Sequence, residues 1–325
     1  MKPLWVLTVL VGLSGCATSG PDASLADAGG AIDAVTRPAG TVFRDRLKSG
    51  GEGPAMVVLP SGSFLMGGPN SEAWSDSGEV PPREVQLRAF AMGQTEVTRG
   101  EFVAFVNATG YRTDAEKNTA VRGSPAEGCI ALLAGSDFGW KAGASWRAPG
   151  FEQHDSHPAV CMSWNDAQAY ASWLSRETGQ AYRLPSAAEQ EYAIRAGTTT
   201  PWAWGDDADA GCRYANGADA RLLTRFPSRP AMACDDGHVF TSPVGAMRAN
   251  AFGLHDTVGN VMEWSGDCAA SGHGPVPADG ADCGGRVLRG GSWGDSPSWL
   301  RSSHHGGEIP EGRASDIGFR VVRVL

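Results

Sequence analysis

The chain has 325 residues, of which only 19% are charged, and its formal net charge is -9 at pH 7. An acidic balance with no basic stripe excludes a nucleic-acid partner and gives no electrostatic pull toward an anionic membrane surface. Counts of 44 Gly, 20 Pro and 11 Trp describe a chain in which turns outweigh regular elements.

In chain order the first feature is Met1-Lys2-Pro3, an apolar run over residues 4–13, and then Ser14-Gly15-Cys16. A basic residue, a short apolar run and small residues at its end describe a secretory signal peptide. The run is well below the roughly 20 residues of a membrane-spanning helix. Leu13-Ser14-Gly15-Cys16 resembles the lipobox of bacterial lipoproteins; the alternative is an ordinary signal peptide with an incidental Cys. The resemblance implies a signal peptide over 1–15 and a lipid on Cys16, the first residue of the mature chain. Ala17, not Asp, follows, so the implied anchor is in the outer membrane and faces the periplasm, with the membrane a partner through the lipid alone. Residues 16–52, rich in Ala, Gly, Ser and Asp, read as a flexible tether, with 41–45 a short local element at most. Residues 53–325 can bury a substantial core.

Within that body, the apolar runs of 53–68 flank Pro60-Ser61-Gly62 and predict a hairpin, and 83–87 alternate as a strand. Phe102, Val103, Phe105 and Val106, after a Thr98 cap and before Gly110, predict a short amphipathic helix. Trp164, Ala167, Tyr170, Ala171 and Leu174 recur at helical spacing, and that helix ends near Gly179. Ser186 with Glu189 is a capping box that opens a third helix, stopped by Gly197. From Thr198 onward, short strands alternate with Gly-, Asp- and Asn-rich loops. Six cysteines remain after Cys16, an even number that reads as three disulfides in an exported chain. Fifteen connectivities are open; we favour neighbours in order, Cys129–Cys161, Cys212–Cys234 and Cys268–Cys283. No CxxC spacing supports a zinc ribbon or a thioredoxin-type site. There is no Gly-x-Ser-x-Gly elbow, Walker loop or His-Glu-x-x-His pair either.

The order of several blocks carries more weight than any one of them. Glu96-Val97-Thr98, the run 157–164, the run 182–189, Pro201-Trp202-Ala203-Trp204-Gly205, the run 250–264, the run 286–293 and Asp316-Ile317-Gly318-Phe319-Arg320 follow one another. Together they resemble the formylglycine-generating, or sulfatase-modifying-factor, family over about residues 53–325. Gln190 and Met262 stand where that family favours Trp. The resemblance implies an irregular, loop-rich α+β fold of C-type-lectin type with low regular secondary structure.

It also implies two structural calcium sites, one through Asp256, Gly259, Val261 and Glu263 and the other through Asn216, Gly217, Asp236 and His238. Calcium wants six to eight oxygen ligands, which carboxylates and backbone carbonyls supply; turn-forming Asp and Asn that bond their own backbone are the plainer reading. The family's enzymes oxidise a substrate cysteine with copper held by two thiolates just after the Gly-Gly-Ser-aromatic block. Here those positions are Asp295 and Leu300, and no cysteine follows Cys283. Copper chemistry at that point therefore lacks its soft ligands. A cleft lined by Ser292, Trp293, Asp295, Trp299, Leu300, Arg301 and His304 is the candidate pocket. Asp295 with His304 and His305 sketches an iron site, but adjacent residues on a strand face opposite ways, and the residues before 53 do not read as the His-bearing helical domain of the ergothioneine sulfoxide synthases. The first functional expectation is a non-catalytic binding or accessory protein of the cell envelope with a protein or peptide partner. The second is a periplasmic oxidoreductase of altered chemistry, like the relative that matures the pyoverdine chromophore. The third is formylglycine synthesis itself.

Overall fold

A computed structural model describes residues 37–68, 79, 82–135, 137–270, 274–276 and 283–325. The signal-peptide run, Cys16 and most of the tether lie outside the described residues. The strands and helices in chain order are β1 Val42–Phe43, β2 Met56–Leu59, β3 Gly62–Met66, β4 Arg83–Leu87, β5 Phe90–Gly93, α1 Arg99–Thr109 and α2 Asp114–Lys117. Next come β6 Cys129–Leu132, β7 Phe138–Lys141, α3 Trp164–Thr178, β8 Tyr182–Arg183, α4 Ala187–Arg195 and α5 Ala220–Leu223. The chain closes with β9 Met262–Ala270, β10 Gly274–Val276, β11 Arg286–Arg289, β12 His305–Glu308, β13 Ile317–Gly318 and β14 Val322–Val324. One sheet runs β1-β2-β5-β14-β8 and a second runs β10-β9-β11-β12, with β13 parallel to β9. Because β14 lies between β5 and β8, the last residues of the chain complete a sheet begun by the first ones described. None of the helices among the described residues is long and apolar enough to cross a membrane.

The helices begin and end where local chemistry dictates. Thr98 caps α1 and Glu101 returns a bond to the Thr98 N–H, which satisfies two otherwise orphaned amides. Phe102, Phe105 and Val106 turn inward, and Gly110 ends the helix in the left-handed region. Ser163 and Asp166 do the same for α3, closed by Gly179. On α4, Ser186 and Glu189 form the expected box, while Ala196 rather than Gly197 takes the left-handed cap. This helix is buried nearly all round, so Gln190, Glu191 and Arg195 lie inside the molecule and must find partners there.

Two expectations change. β2 and β3 do not form a hairpin with each other: β2 pairs with β1 and β5, and β3 pairs with β4. All four β2 side chains are buried whereas β3 alternates, so the Pro60-Ser61 corner carries the chain from one sheet into another. The body also takes in residues 37–52. The Arg37 and Arg323 guanidiniums cover the Phe43 ring, Phe43 and Leu47 pack on the main core, and Asp45 receives the Tyr182 hydroxyl at 2.8 Å. The three disulfides join Cys129–Cys161, Cys212–Cys234 and Cys268–Cys283, neighbours in order. The main core is aromatic, with the rings of Phe102, Phe105, Trp146, Tyr170, Trp173 and Phe319 in mutual contact.

Candidate functional site

The residues 290–301 fold back on themselves after β11. Gly290 and Gly291 both take positive φ, and a Cβ at Gly291 would stand 2.8 Å from Leu300 and 2.9 Å from the Trp299 carbonyl. That close approach lets the short helical turn Pro297–Leu300 lie against the Ser292 corner. Both the N–H and the hydroxyl of Ser292 donate to one Asp295 oxygen at 2.8 Å. Burial pushes the Asp295 carboxyl up, against the pull of those two donors. Asp316 joins them: desolvation and the Asp295 charge push its carboxyl up to about 7, while Arg229 and Ser292 act the other way. Arg229 itself is anchored on the Gly294 carbonyl at 2.9 Å.

The other expected pocket residues go different ways. Trp293 is buried among Phe138, Phe151, Phe226 and Phe240. Leu300 is fully buried with Ile194, Trp202, Met232 and Val258, pressed over Gly217, where a Cβ would come within 2.5 Å of it. Both side chains are closed off in the core. Trp299 is 46% exposed and lays its ring 4.7 Å from that of His304. Arg301 is buried and holds Glu79 with both terminal nitrogens, at 2.6 and 2.8 Å. Ser303 donates to the same carboxylate at 2.8 Å, and His304 Nδ1 lies 3.5 Å from it. Burial opposes the Glu79 charge, yet the His304, Arg301 and Ser303 donors outweigh it and hold the carboxyl far below its ordinary range. His304 Nε2 has no hydrogen-bond partner among the described residues. Glu79 and Arg229 escaped the sequence reading, and Asp316 was read only as the first residue of the closing family block; nothing local marked Glu79, which is 222 residues from Arg301.

The two expected calcium sets adjoin each other. A Cβ at Gly259 would sit 2.3 Å from the Asn216 carbonyl, which also accepts the Asn260 N–H at 2.7 Å, so only glycine allows the two loops to meet. In the first set, both Glu263 oxygens hold the Arg320 Nε at 2.8 and 2.7 Å. Asp256 accepts Gly245 N–H through one oxygen, and its Oδ1 is buried without a partner, as is Glu96 Oε2 beside it. Burial, with the Asp256 and Glu263 charges, drives the Glu96 carboxyl well above its ordinary range. In the second set, the Asn216 amide donates to the Phe240 carbonyl, leaving Asn216 Oδ1 buried and unpartnered. Asp236 bonds the His238 and Gly217 N–H groups and leaves its own Oδ2 unpartnered. Burial pushes the Asp236 carboxyl up to about 7. Among the described residues, no three His, Cys, Asp or Glu side chains gather to hold a metal ion, which leaves a cation at either set dependent on carbonyl and amide oxygens as well.

Comparison with known proteins adds four relationships. Residues 42–325 match the Sulfatase-modifying factor enzyme 1-like domain. The chain is 36% identical to the formylglycine-generating enzyme of Streptomyces coelicolor over 291 residues, 81% of this chain and 87% of that one. It is 33% identical to the inactive C-alpha-formylglycine-generating enzyme 2 of Mus musculus, over 85% of this chain and 88% of that one. Among solved structures, PvdO from Pseudomonas aeruginosa superposes with a TM-score of 0.69 at 34% identity, over 89% of this chain and all of that chain.

Proposed function

The chain belongs to the sulfatase-modifying-factor family, and from that premise we propose that it is a non-catalytic binding or accessory member tethered to the cell envelope. One observation carries the reading: at the two positions where the resemblance places copper thiolates stand Asp295, tied to Ser292, and Leu300, inside the core. The six cysteines of the body are all in disulfides, so none of them offers copper a soft ligand there. That a mouse relative of comparable identity is named inactive supports the same reading. Exposed Trp299 offers a partner protein or peptide the kind of aromatic side chain that anchors interfaces. The test is to incubate the purified protein with copper, oxygen and a Cys-x-Pro-x-Arg peptide and follow the peptide by mass spectrometry. No change is expected; conversion of the thiol to an aldehyde would sink the proposal. Tethering rests on the Cys16 motif, and labelled palmitate should enter the wild type but not Cys16→Ser.

A second reading, an enzyme of altered chemistry, is favoured by one observation. Asp295 and Asp316 share Ser292 beside Arg229, with one carboxyl near neutrality, which suits proton transfer at physiological pH. Anaerobic reconstitution that leaves stoichiometric iron or copper, lost in Asp295→Ala and His304→Ala, would promote it over the first.

For calcium, the second set fits. Two buried oxygens without partners, from Asn216 and Asp236, are what a hard cation would satisfy, with backbone carbonyls near Gly217 and His238 completing its shell. The first set fits less well: Asp256 Oδ1 is also buried without a partner, but the Arg320 guanidinium already occupies both Glu263 oxygens. Titration calorimetry should therefore find one calcium per chain, absent in Asp236→Ala; two equivalent ions would refute the assignment.

A further inference from the structure

Away from the Asp295 corner, the β3–β4 hairpin and the C-terminal end of α4 enclose a cavity of about 560 Å³, within the range of small-molecule sites. Its apolar wall is built from Phe64, Leu65, Tyr192 and Phe252. The Tyr192 ring stands 5.5 Å from Phe64 at 51° and 5.2 Å from Phe252 at 48°, so tilted faces and edges are offered to a flat guest. Leu65, 60% exposed, lies on this wall, and Thr198 and Thr199 add polar groups.

Among the described residues, the one charged group that lines this space is Arg195, only 7% exposed. Its Nε is bonded to Glu191 at 3.0 Å and its Nη2 to the Gly67 carbonyl at 2.9 Å; Nη1 has no partner among the described residues. Glu191 is also claimed by Arg289 at 2.5 Å, so two buried guanidiniums divide one carboxylate. No acidic residue lines the cavity among those described. A surplus positive charge, a spare guanidinium N–H and aromatic walls together select an anion with a flat apolar body, since charge-assisted bonds to Arg are the strong ones.

We propose that the cavity between the β3–β4 hairpin and α4 is a binding site for a small aromatic monocarboxylate, whose carboxylate is received by Arg195 and whose ring lies among Phe64, Tyr192 and Phe252. This site is separate from the Asp295 corner and stands whether or not that corner proves catalytic.

Calorimetry of the purified protein with 2-naphthoate and with the neutral 2-naphthalenemethanol tests the proposal. One naphthoate should bind per chain, about tenfold or more tighter than the alcohol. Arg195→Gln should erase that preference. Because Arg195 also ties Glu191 and Gly67, a second variant that touches no buried pair is needed. Thr199→Trp, at an exposed position of the cavity wall, should fill the space and abolish binding. Equal affinity for the alcohol, unchanged binding in Thr199→Trp, or no binding of naphthoate at all would each overturn it.

Discussion

Two charge clusters lie back to back in the interior and are built on opposite accounts. Around Glu191, two guanidiniums, Arg195 and Arg289, share one carboxylate. Around Arg320, three carboxylates, Glu96, Asp256 and Glu263, share one guanidinium. They meet at a void of about 10 Å³ lined by Gln190, Glu263, Arg289 and Arg320, space for a single water. Gln190 Oε1 and Arg289 Nε, both buried without a partner, are what that water would bridge. The surplus guanidinium is readily satisfied, because peptide carbonyls are plentiful: Arg289 also takes those of Ser302, Ser303 and His304. A surplus carboxylate must take a proton or find a cation instead. The difference places a ligand-accepting cation on one side of α4 and proton-holding carboxyls on the other.

The largest test of this asymmetry is Arg320→Met. It removes the guanidinium from three buried carboxylates, and breaking a buried pair from one side costs about 3–5 kcal/mol. Denaturant unfolding should show at least that loss, or a chain that no longer folds. A loss below about 1 kcal/mol would mean that the carboxylates do not depend on Arg320. Glu191→Gln is the mirror experiment and should cost less, about 1.5–3 kcal/mol, the range for bonds to charged groups. Its two arginines keep their carbonyl acceptors and the glutamine keeps an oxygen for the Gly67 N–H. If Glu191→Gln proves as damaging as Arg320→Met, the two clusters are equivalent and the comparison fails.

How much of this was legible beforehand divides along the same line. Features written in a few adjacent residues were read correctly: the Thr98 cap, the Ser186–Glu189 box, the Gly110 and Gly179 stops, and the family blocks, whose order reflects the whole fold. Pairings set by distant parts of the chain were not. The apolar runs before and after Pro60 carry the same hairpin signal whether they pair with each other or with β5 and β4. A glutamate such as Glu79 shows nothing of an arginine 222 residues on, and Glu96 was read as part of a motif rather than as a buried carboxyl. The expected pocket residues part for a related reason. Trp293 and Leu300, seven positions apart, enter two different core clusters, because the turn between them reverses the chain.

The smallest of the expected effects extends the comparison to the Asp295 corner, where two carboxylates face Arg229. Asp316, with its carboxyl raised to about 7 by desolvation and by Asp295, binds its proton more tightly in the folded chain than in the unfolded one. A raised folded value means that its contribution to stability is complete below the unfolded range near pH 4 and is lost as pH rises toward 7. Above that range the folded protein must ionise a second carboxylate beside Asp295. Asp316→Asn keeps the shape, cannot ionise and removes that requirement. Its unfolding free energy in denaturant should match the wild type near pH 4 and exceed it at pH 8, by about 1 kcal/mol once solvent screening of this partly open side chain is allowed for. An equal or lower stability of Asp316→Asn at pH 8 would show that Arg229 fully compensates the pair, and the corner would then belong with the arginine-rich cluster rather than the carboxylate-rich one.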